Sequence, residues 1–387
     1  MVEILDSTLR EGEQTPGVYF DNHVKLAIAE LLDNIGINYI EAGHPKVTEE
    51  IHQAVKILSH RGLNANIAAH SRLVKSDIDL ALESGVDFIG IFYSVTDDRL
   101  SNVFKTDINQ VAEKIYESIS YAKSKKPDIL IRYTPEDTVR SDFEKVIIAS
   151  EAAVKAGADV ISIADTTGYM APGTNNNLYD YVVKLREALN ANNLNPKIAV
   201  HCHNDQGLAL ANAIDAYRAG VDIIDASVMG LGERAGIVDL AQLLVVLNLN
   251  FNEQNWNLSY LDELYKLVSF HSGIPIPANF PILGKNAFTH CAGVHTHAAA
   301  INPMHYEHLN PELVNRERKF SLDHMSGIAS LNFALKQLGL ESLTDKEKFE
   351  ILSEIKKIGQ KGRTVELSEL SLIIESEKLI NKKQIRN

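Results

Sequence analysis

Short β-branched runs alternate with stretches of helical periodicity through about the first 250 residues of the chain. Apolar runs at residues 2–6, 39–42, 65–69, 88–92, 129–133, 160–164, 198–201 and 223–228 predict eight strands. Between them, segments 22–35, 110–122, 143–156 and 208–219 carry apolar residues at helical spacing and are often stopped by glycine. Because each parallel connection needs a crossover helix, eight such units predict a parallel (β/α)8 barrel, with a doubly wound open sheet as the alternative. After Phe251 the alternation stops. A helix over 258–271, a proline-rich stretch at 274–281 and helices over 331–338 and 345–358 follow, so the expected domains are a barrel at 1–255 and a smaller, mainly helical region at 256–387.

Polar residues collect where the predicted strands end, the end at which barrel active sites lie. Arg10, Glu11, Glu13 and Gln14 follow the first strand, His44 the second, His70 and Arg72 the third, and Ser94 and Thr96 the fourth. Arg132, Thr134, Glu136 and Asp137 end the fifth, Asp165 and Thr166 the sixth, His201 and His203 the seventh, and Glu233 and Arg234 the eighth. Any one of these is as readily a loop charge; their gathering at one rim is what points to an enzyme. His201-Cys202-His203 puts two imidazoles on one strand face, a potential metal clip, although such a pair alone is weak support.

Composition narrows the class. With 45% apolar and 23% charged residues the chain can bury a large core, and no apolar stretch reaches the length of a membrane span. A formal net charge of −13 argues against a nucleic-acid partner and for small-molecule ligands. The two cysteines, Cys202 and Cys291, lie beside histidines, and the chain opens on a strand with no basic and apolar leader. The expectation is a cytoplasmic protein with reduced thiols and no membrane association.

Four motifs then amount to a resemblance. Asp6-Ser7-Thr8-Leu9-Arg10-Glu11-Gly12-Glu13-Gln14, Ala164-Asp165-Thr166-Thr167-Gly168, His201-Cys202-His203-Asn204-Asp205-Gln206-Gly207 and Gly230-Leu231-Gly232-Glu233-Arg234-Ala235-Gly236 occur in order. Together they resemble the signatures of the 2-isopropylmalate synthase and homocitrate synthase family, metal-dependent barrel enzymes of amino-acid biosynthesis. The resemblance covers the barrel and continues through His295, Asn302-Pro303 and Tyr306. It implies Claisen condensation of an acyl-CoA, usually acetyl-CoA, with a 2-oxo acid, and a homodimer whose active sites are completed in trans.

Residue chemistry gives each group a role within that resemblance. Glu11, His201 and His203 make a one-carboxylate, two-imidazole set for one divalent ion, zinc, manganese, cobalt or magnesium, with positions open for a chelating 2-oxo acid. Arg10 would stabilise the alkoxide, and by resemblance Glu136 and His295 form the acid/base pair with Tyr306 as helper. Gln14, His70, Arg132, Thr134 and Thr166 are the expected substrate-binding residues. The same ligand set serves iron(II) oxygenases, which the barrel and the Arg10-Glu11 pair disfavour. Lyases of the hydroxymethylglutaryl-CoA type use a cysteine in a glycine-rich late loop, absent here, and a non-catalytic metal-binding barrel is the remaining alternative.

Substrate choice turns on few positions. His70 stands where leucine-pathway members carry an apolar residue and homocitrate synthases a histidine facing the distal carboxylate of 2-oxoglutarate; Ile237 after Gly236 points the same way. Against these stand Gly90, where lysine-pathway homocitrate synthases typically place an aspartate, and Ala300, where they use a tyrosine. Residues 93–97 and 311–314 instead resemble nitrogenase-associated homocitrate synthases and their isopropylmalate-like relatives. The expected substrate is 2-oxoglutarate; 2-oxoisovalerate and oxaloacetate are the alternatives. With no room for a regulatory domain after the helical tail, leucine inhibition through one is not expected.

Overall fold

The computed structural model describes residues 1–384, without the side chains of Ala300 and of residues 377–384, so the Ala300 comparison lies outside the described residues. Eight parallel strands close into a barrel: β1 (Glu3–Asp6), β2 (Tyr39–Gly43), β3 (Asn66–Arg72), β4 (Phe88–Ser94), β5 (Leu130–Glu136), β6 (Val160–Asp165), β7 (Lys197–Cys202) and β8 (Ile223–Ala226). Pairing of β1 with β8, Leu5 opposite Asp225, completes the ring, so the open-sheet alternative is excluded.

Helices α1 (Asn22–Ile35), α2 (Glu49–Ser59), α3 (Lys75–Glu83), α4 (Ile108–Lys125), α5 (Phe143–Lys155), α6 (Leu178–Ala191), α7 (Ala209–Arg218) and α8 (Leu240–Phe251) make the crossovers. All but α3 and α7 start at a short polar side chain that accepts from otherwise unpaired backbone N–H groups. Asp21 takes those of His23 and Val24, Asp142 that of Lys145, Asn177 that of Asp180 and Asp239 that of Gln242. A ninth helix, α9 (Leu261–Ser272), packs against α1, and the first compact unit runs from Met1 to Ile276.

Alternation along the strands builds the barrel interior in layers. Leu5, Tyr39, Ala68, Phe88, Leu130, Val160, Ala199 and Ile223 form a closed apolar floor. Two residues further along, Glu41, His70, Gly90, Arg132, Ser162, His201 and Asp225 share that inward parity, so the next layer is polar and charged. Its side chains are buried or nearly so. Strands β3, β4 and β5 accordingly run three, two and three residues past their expected ends. A polar residue read as a strand's end is here an inward-facing strand residue with a partner across the lumen.

The second unit starts at Pro277 and stands on its own core. Two short parallel strands, β9 (Thr289–His290) and β10 (Lys319–Phe320), accompany α10 (Gly293–Ile301), α11 (Ile328–Gln337), α12 (Asp345–Gly359) and α13 (Leu367–Gln384). Leu331, Leu335, Ile351, Ile355, Leu370 and Ile374 fill its centre. The strand pair and α13 were not expected, since two-residue strands leave no periodicity to read.

Candidate active site

Glu11, His201 and His203 come together only because β1 and β7 are brought round by barrel closure. One ligand atom from each lies within 4.8 Å of the others, and all three residues are buried. Asp225 Oδ2 engages His201 Nδ1 at 3.0 Å, which leaves Nε2 for a cation. His203 Nδ1 is a buried nitrogen with no hydrogen-bond partner, as expected of an atom that waits for a ligand. Burial raises the Glu11 pKa, but Arg10, His201 and the Glu233 N–H outweigh it and leave the carboxyl at about 2. Burial, helped by His201, lowers His203 to about 4. At neutral pH both are in the forms that metal binding requires, carboxylate and neutral imidazole.

The loop after β8 is shaped around Glu11. Glu233 N–H donates to Glu11 Oε1 at 3.1 Å, and a Cβ on Gly232 would sit 3.1 Å from Glu11 Cγ. Gly236 adopts φ +80°, and a Cβ there would meet Gly230 O at 1.8 Å, so only glycine fits. Gln14, with its amide nitrogen facing the carboxylate, donates to both Glu11 oxygens at 3.0 and 3.1 Å.

Behind these groups lies the charged layer. Arg10 pairs with Glu11 and, through Nε at 2.7 Å, with Glu41. Glu41 also accepts from Ser7 Oγ at 2.5 Å and faces His70 Nδ1 at 3.1 Å. Despite complete burial, Arg10, His70 and Arg132 hold the Glu41 carboxyl well below the usual range. His70 is itself lowered to about 4, by burial first and the Arg10 charge second, and its ring stacks on Phe92 at 4.6 Å. A ring that donates from Nδ1 to Glu41 can also donate from Nε2 to a substrate carboxylate once it takes up a proton, which two flanking carboxylates favour. Arg132 gives Nη1 to both oxygens of Asp225, at 2.8 and 3.0 Å, and so supports His201 through that carboxylate. Its Nε is buried without a partner, 3.8 Å from where a Cβ on Gly90 would stand.

Glu136 ends β5 and its Oε2 accepts from Arg99 Nη1 at 2.7 Å. Thr134 occupies the same strand beside Phe92, and Thr166 Oγ1 accepts the Asp137 N–H at 3.0 Å, tying the ends of β5 and β6. Several rim charges are structural ties: Glu13 to Lys25 and the Phe20 N–H, Asp137 to Arg140, and Arg234 to Asp205. His295 and Tyr306 belong to the second unit, where their rings lie 4.2 Å apart and both side chains are exposed. Sequence reasoning overlooked Glu41, Asp225 and Arg99. The first two stand out in the sequence only as lone acids inside apolar strand runs, with nothing there to say which face they take.

Comparison with known proteins decides the family. Residues 1–268 match the HMGL-like family model, and residues 282–363 match the model described as homocitrate synthase post-HMGL domain-like. The chain belongs to the HMGL-like family. Among relatives, the homocitrate synthase of Pyrococcus horikoshii is 42% identical over 337 residues, 87% of this chain and 90% of its own. That of Saccharolobus solfataricus is 40% identical over 359 residues, 92% of this chain and 76% of its own. The HMG-CoA lyase structure from Bacillus subtilis superposes with a TM-score of 0.60 at 23% identity, covering 72% of this chain and 96% of that one, which shows the shared fold. The family read from the four motifs is therefore the right one.

Proposed function

We propose that this protein is a homocitrate synthase-like acyltransferase that condenses acetyl-CoA with 2-oxoglutarate. The observation that carries the substrate is the unpartnered, buried Arg132 Nε–H beside the gap at Gly90, with His70 lining the same gap. A distal carboxylate would satisfy that donor; a branched alkyl group would leave it unsatisfied, at about 1 to 3 kcal/mol. Glycine at position 90, where lysine-pathway homocitrate synthases typically place an aspartate, keeps the space open. The relatives at 40 and 42% identity that bear the homocitrate synthase name support the same reading.

Glu11, His201 and His203 would hold the divalent cation, and two imidazoles with one carboxylate suit zinc, manganese or cobalt better than magnesium. When bound, the cation supplies Lewis-acid polarisation of the ketone. Arg10, fixed between Glu11 and Glu41, meets the negative charge that develops on the former ketone oxygen. Glu136 removes a methyl proton from the thioester, and the resulting enolate carbon bonds to the ketone carbon. His295, with Tyr306 as helper, serves the complementary proton transfer. Water then cleaves the C–S bond, which frees the carboxylate and the CoA thiol.

A panel of 2-oxo acids assayed for CoA release from acetyl-CoA tests the reading. 2-Oxoglutarate should exceed 2-oxoisovalerate in kcat/KM by about tenfold or more, and His70→Leu should weaken the dicarboxylate much more than the monocarboxylate. Preference for oxaloacetate would move the protein to a citrate-forming role. Preference for 2-oxoisovalerate, with a leucine variant indifferent to the change, would place it on the leucine side of the family.

A further inference from the structure

In the second unit, the segment from His290 to Glu307 carries both His295 and Tyr306 and is closed on itself by one carboxylate. Glu307 Oε1 engages His290 Nε2 at 2.7 Å, 17 residues back along the chain. Arg318 grips the same carboxylate with two hydrogen bonds of 2.6 Å, Nε to Oε1 and Nη2 to Oε2. All three side chains are largely shielded, with 9% exposure for Glu307, 13% for His290 and 24% for Arg318. Burial opposes ionisation of Glu307, but the bonds from Arg318 and His290 outweigh it and hold the carboxyl below its ordinary value. The staple continues into the rest of the unit. His290 lies in β9, Arg318 immediately precedes β10, and the His290 ring lies 5.8 Å from that of Phe320, which meets Phe333 of α11 edge to face at 4.1 Å.

We propose that Glu307 is a positioning residue for the His295–Tyr306 pair, the carboxylate that closes the loop on which both rings stand. The inference rests on the proposed acid/base role of that pair and adds what fixes its geometry. The two rings lie 4.2 Å apart, yet both are exposed in the single chain, so no core around them holds that arrangement. Their relation must come from the backbone that bears them. His295 rides on α10, which starts soon after His290, at Gly293. At the other end Asn302 caps the turn 303–305, and Pro303 O accepts from the N–H groups of both Tyr306 and Glu307 at 3.0 Å, so a shift of Glu307 moves Tyr306 with it. A loop of this length can vary the distance between its ends unless something closes it. A bidentate guanidinium adds direction to the closure, since it fixes the plane of the carboxylate as well as its position. Proton transfer needs that precision, because donor and acceptor must meet at hydrogen-bond distance.

Glu307→Gln keeps the volume and removes the charge that His290 and Arg318 share. It should lower kcat by about tenfold or more, with the KM for acetyl-CoA and for 2-oxoglutarate within about twofold of normal and a cooperative thermal transition. Arg318→Lys, which keeps the charge but not the fork, should lower kcat less and serves if the first variant does not fold. A double-mutant cycle separates positioning from general stability. In a chain already carrying His295→Ala and Tyr306→Phe, Glu307→Gln should cost no further turnover, because the groups it places are gone. A loss in that background equal to the loss in the wild type would overturn the proposal, as would kcat within about twofold of normal in both Glu307→Gln and Arg318→Lys. If instead His295→Ala with Tyr306→Phe leaves turnover at the wild-type level, the acid/base reading of the pair falls, and the proposal falls with it.

Discussion

Asp225 shares the floor of the site with Arg132 and is set to act through a histidine rather than on substrate. Its carboxylate receives the Arg132 guanidinium on one side and fixes His201 Nδ1 on the other, so the tautomer and the ring plane of His201 are decided before any ligand arrives. Asp225→Asn keeps the volume but removes the charge that Arg132 balances and weakens the hold on the ring. Metal affinity should fall by about 10- to 100-fold, measured by competition with a chelating indicator, while the thermal transition stays cooperative. Unchanged affinity would mean that Asp225 serves only to neutralise Arg132. Arg132 was legible as a site residue, but its partner was not. Whether an acid within Ile223-Ile224-Asp225-Ala226 faces the lumen or the helices depends on register, which one strand read alone does not fix.

Strands that end in polar residues were placed correctly in order and handed over too early. β5 was expected to stop at Tyr133 and reaches Glu136; its continuation is what carries Thr134 and Glu136 on the inward face above Arg132. Apolarity marks where a strand meets the floor and the helices, yet it stops marking the strand once the lumen becomes polar. The acid that ends β1 is a different case, because Asp6 lies at the opposite parity to the floor residue Leu5. Burial pushes Asp6 up to about 7, with the Thr8 hydrogen bonds opposing and the Glu41 charge adding, and its Oδ2 has no partner. Unfolded, this carboxyl takes its proton near 3.8; folded, near 7. Between those values the native state binds the extra proton, so the contribution of Asp6 to stability falls as pH rises and is fully lost above about 7. Asp6→Asn, which retains an acceptor for the Thr8 N–H, should therefore gain on the wild type from pH 5 to pH 7, by at most about 1.4 kcal/mol per pH unit, and level off above that. Urea midpoints at pH 5, 6, 7 and 8 read the difference; a constant offset across that range would show that Asp6 is ionised throughout.

At the scale of the whole molecule, proposed catalytic groups are divided between two compact units. Arg10, Glu11, Glu136, His201 and His203 lie in residues 1–276, and His295 and Tyr306 lie in residues 277–384. The barrel could be predicted because its repeating unit leaves eight similar marks on the sequence. The second unit has no repeat, so its histidine was found only through the resemblance. His295 and Tyr306 are both exposed, and we propose, as the resemblance implies, that they serve the barrel of another copy of this chain. A homodimer completed in trans can be tested without a structure. Glu136→Gln and His295→Ala should each lower turnover by about 100-fold or more. Subunits of the two variants, dissociated, mixed in equal amounts and reassociated, would form mixed dimers in half of the assemblies. Each mixed dimer would hold one site with both residues intact, so activity should return to about a quarter of the wild-type level. If each chain supplied its own His295, no intact site would form in any dimer, and the mixture would stay as inactive as its components.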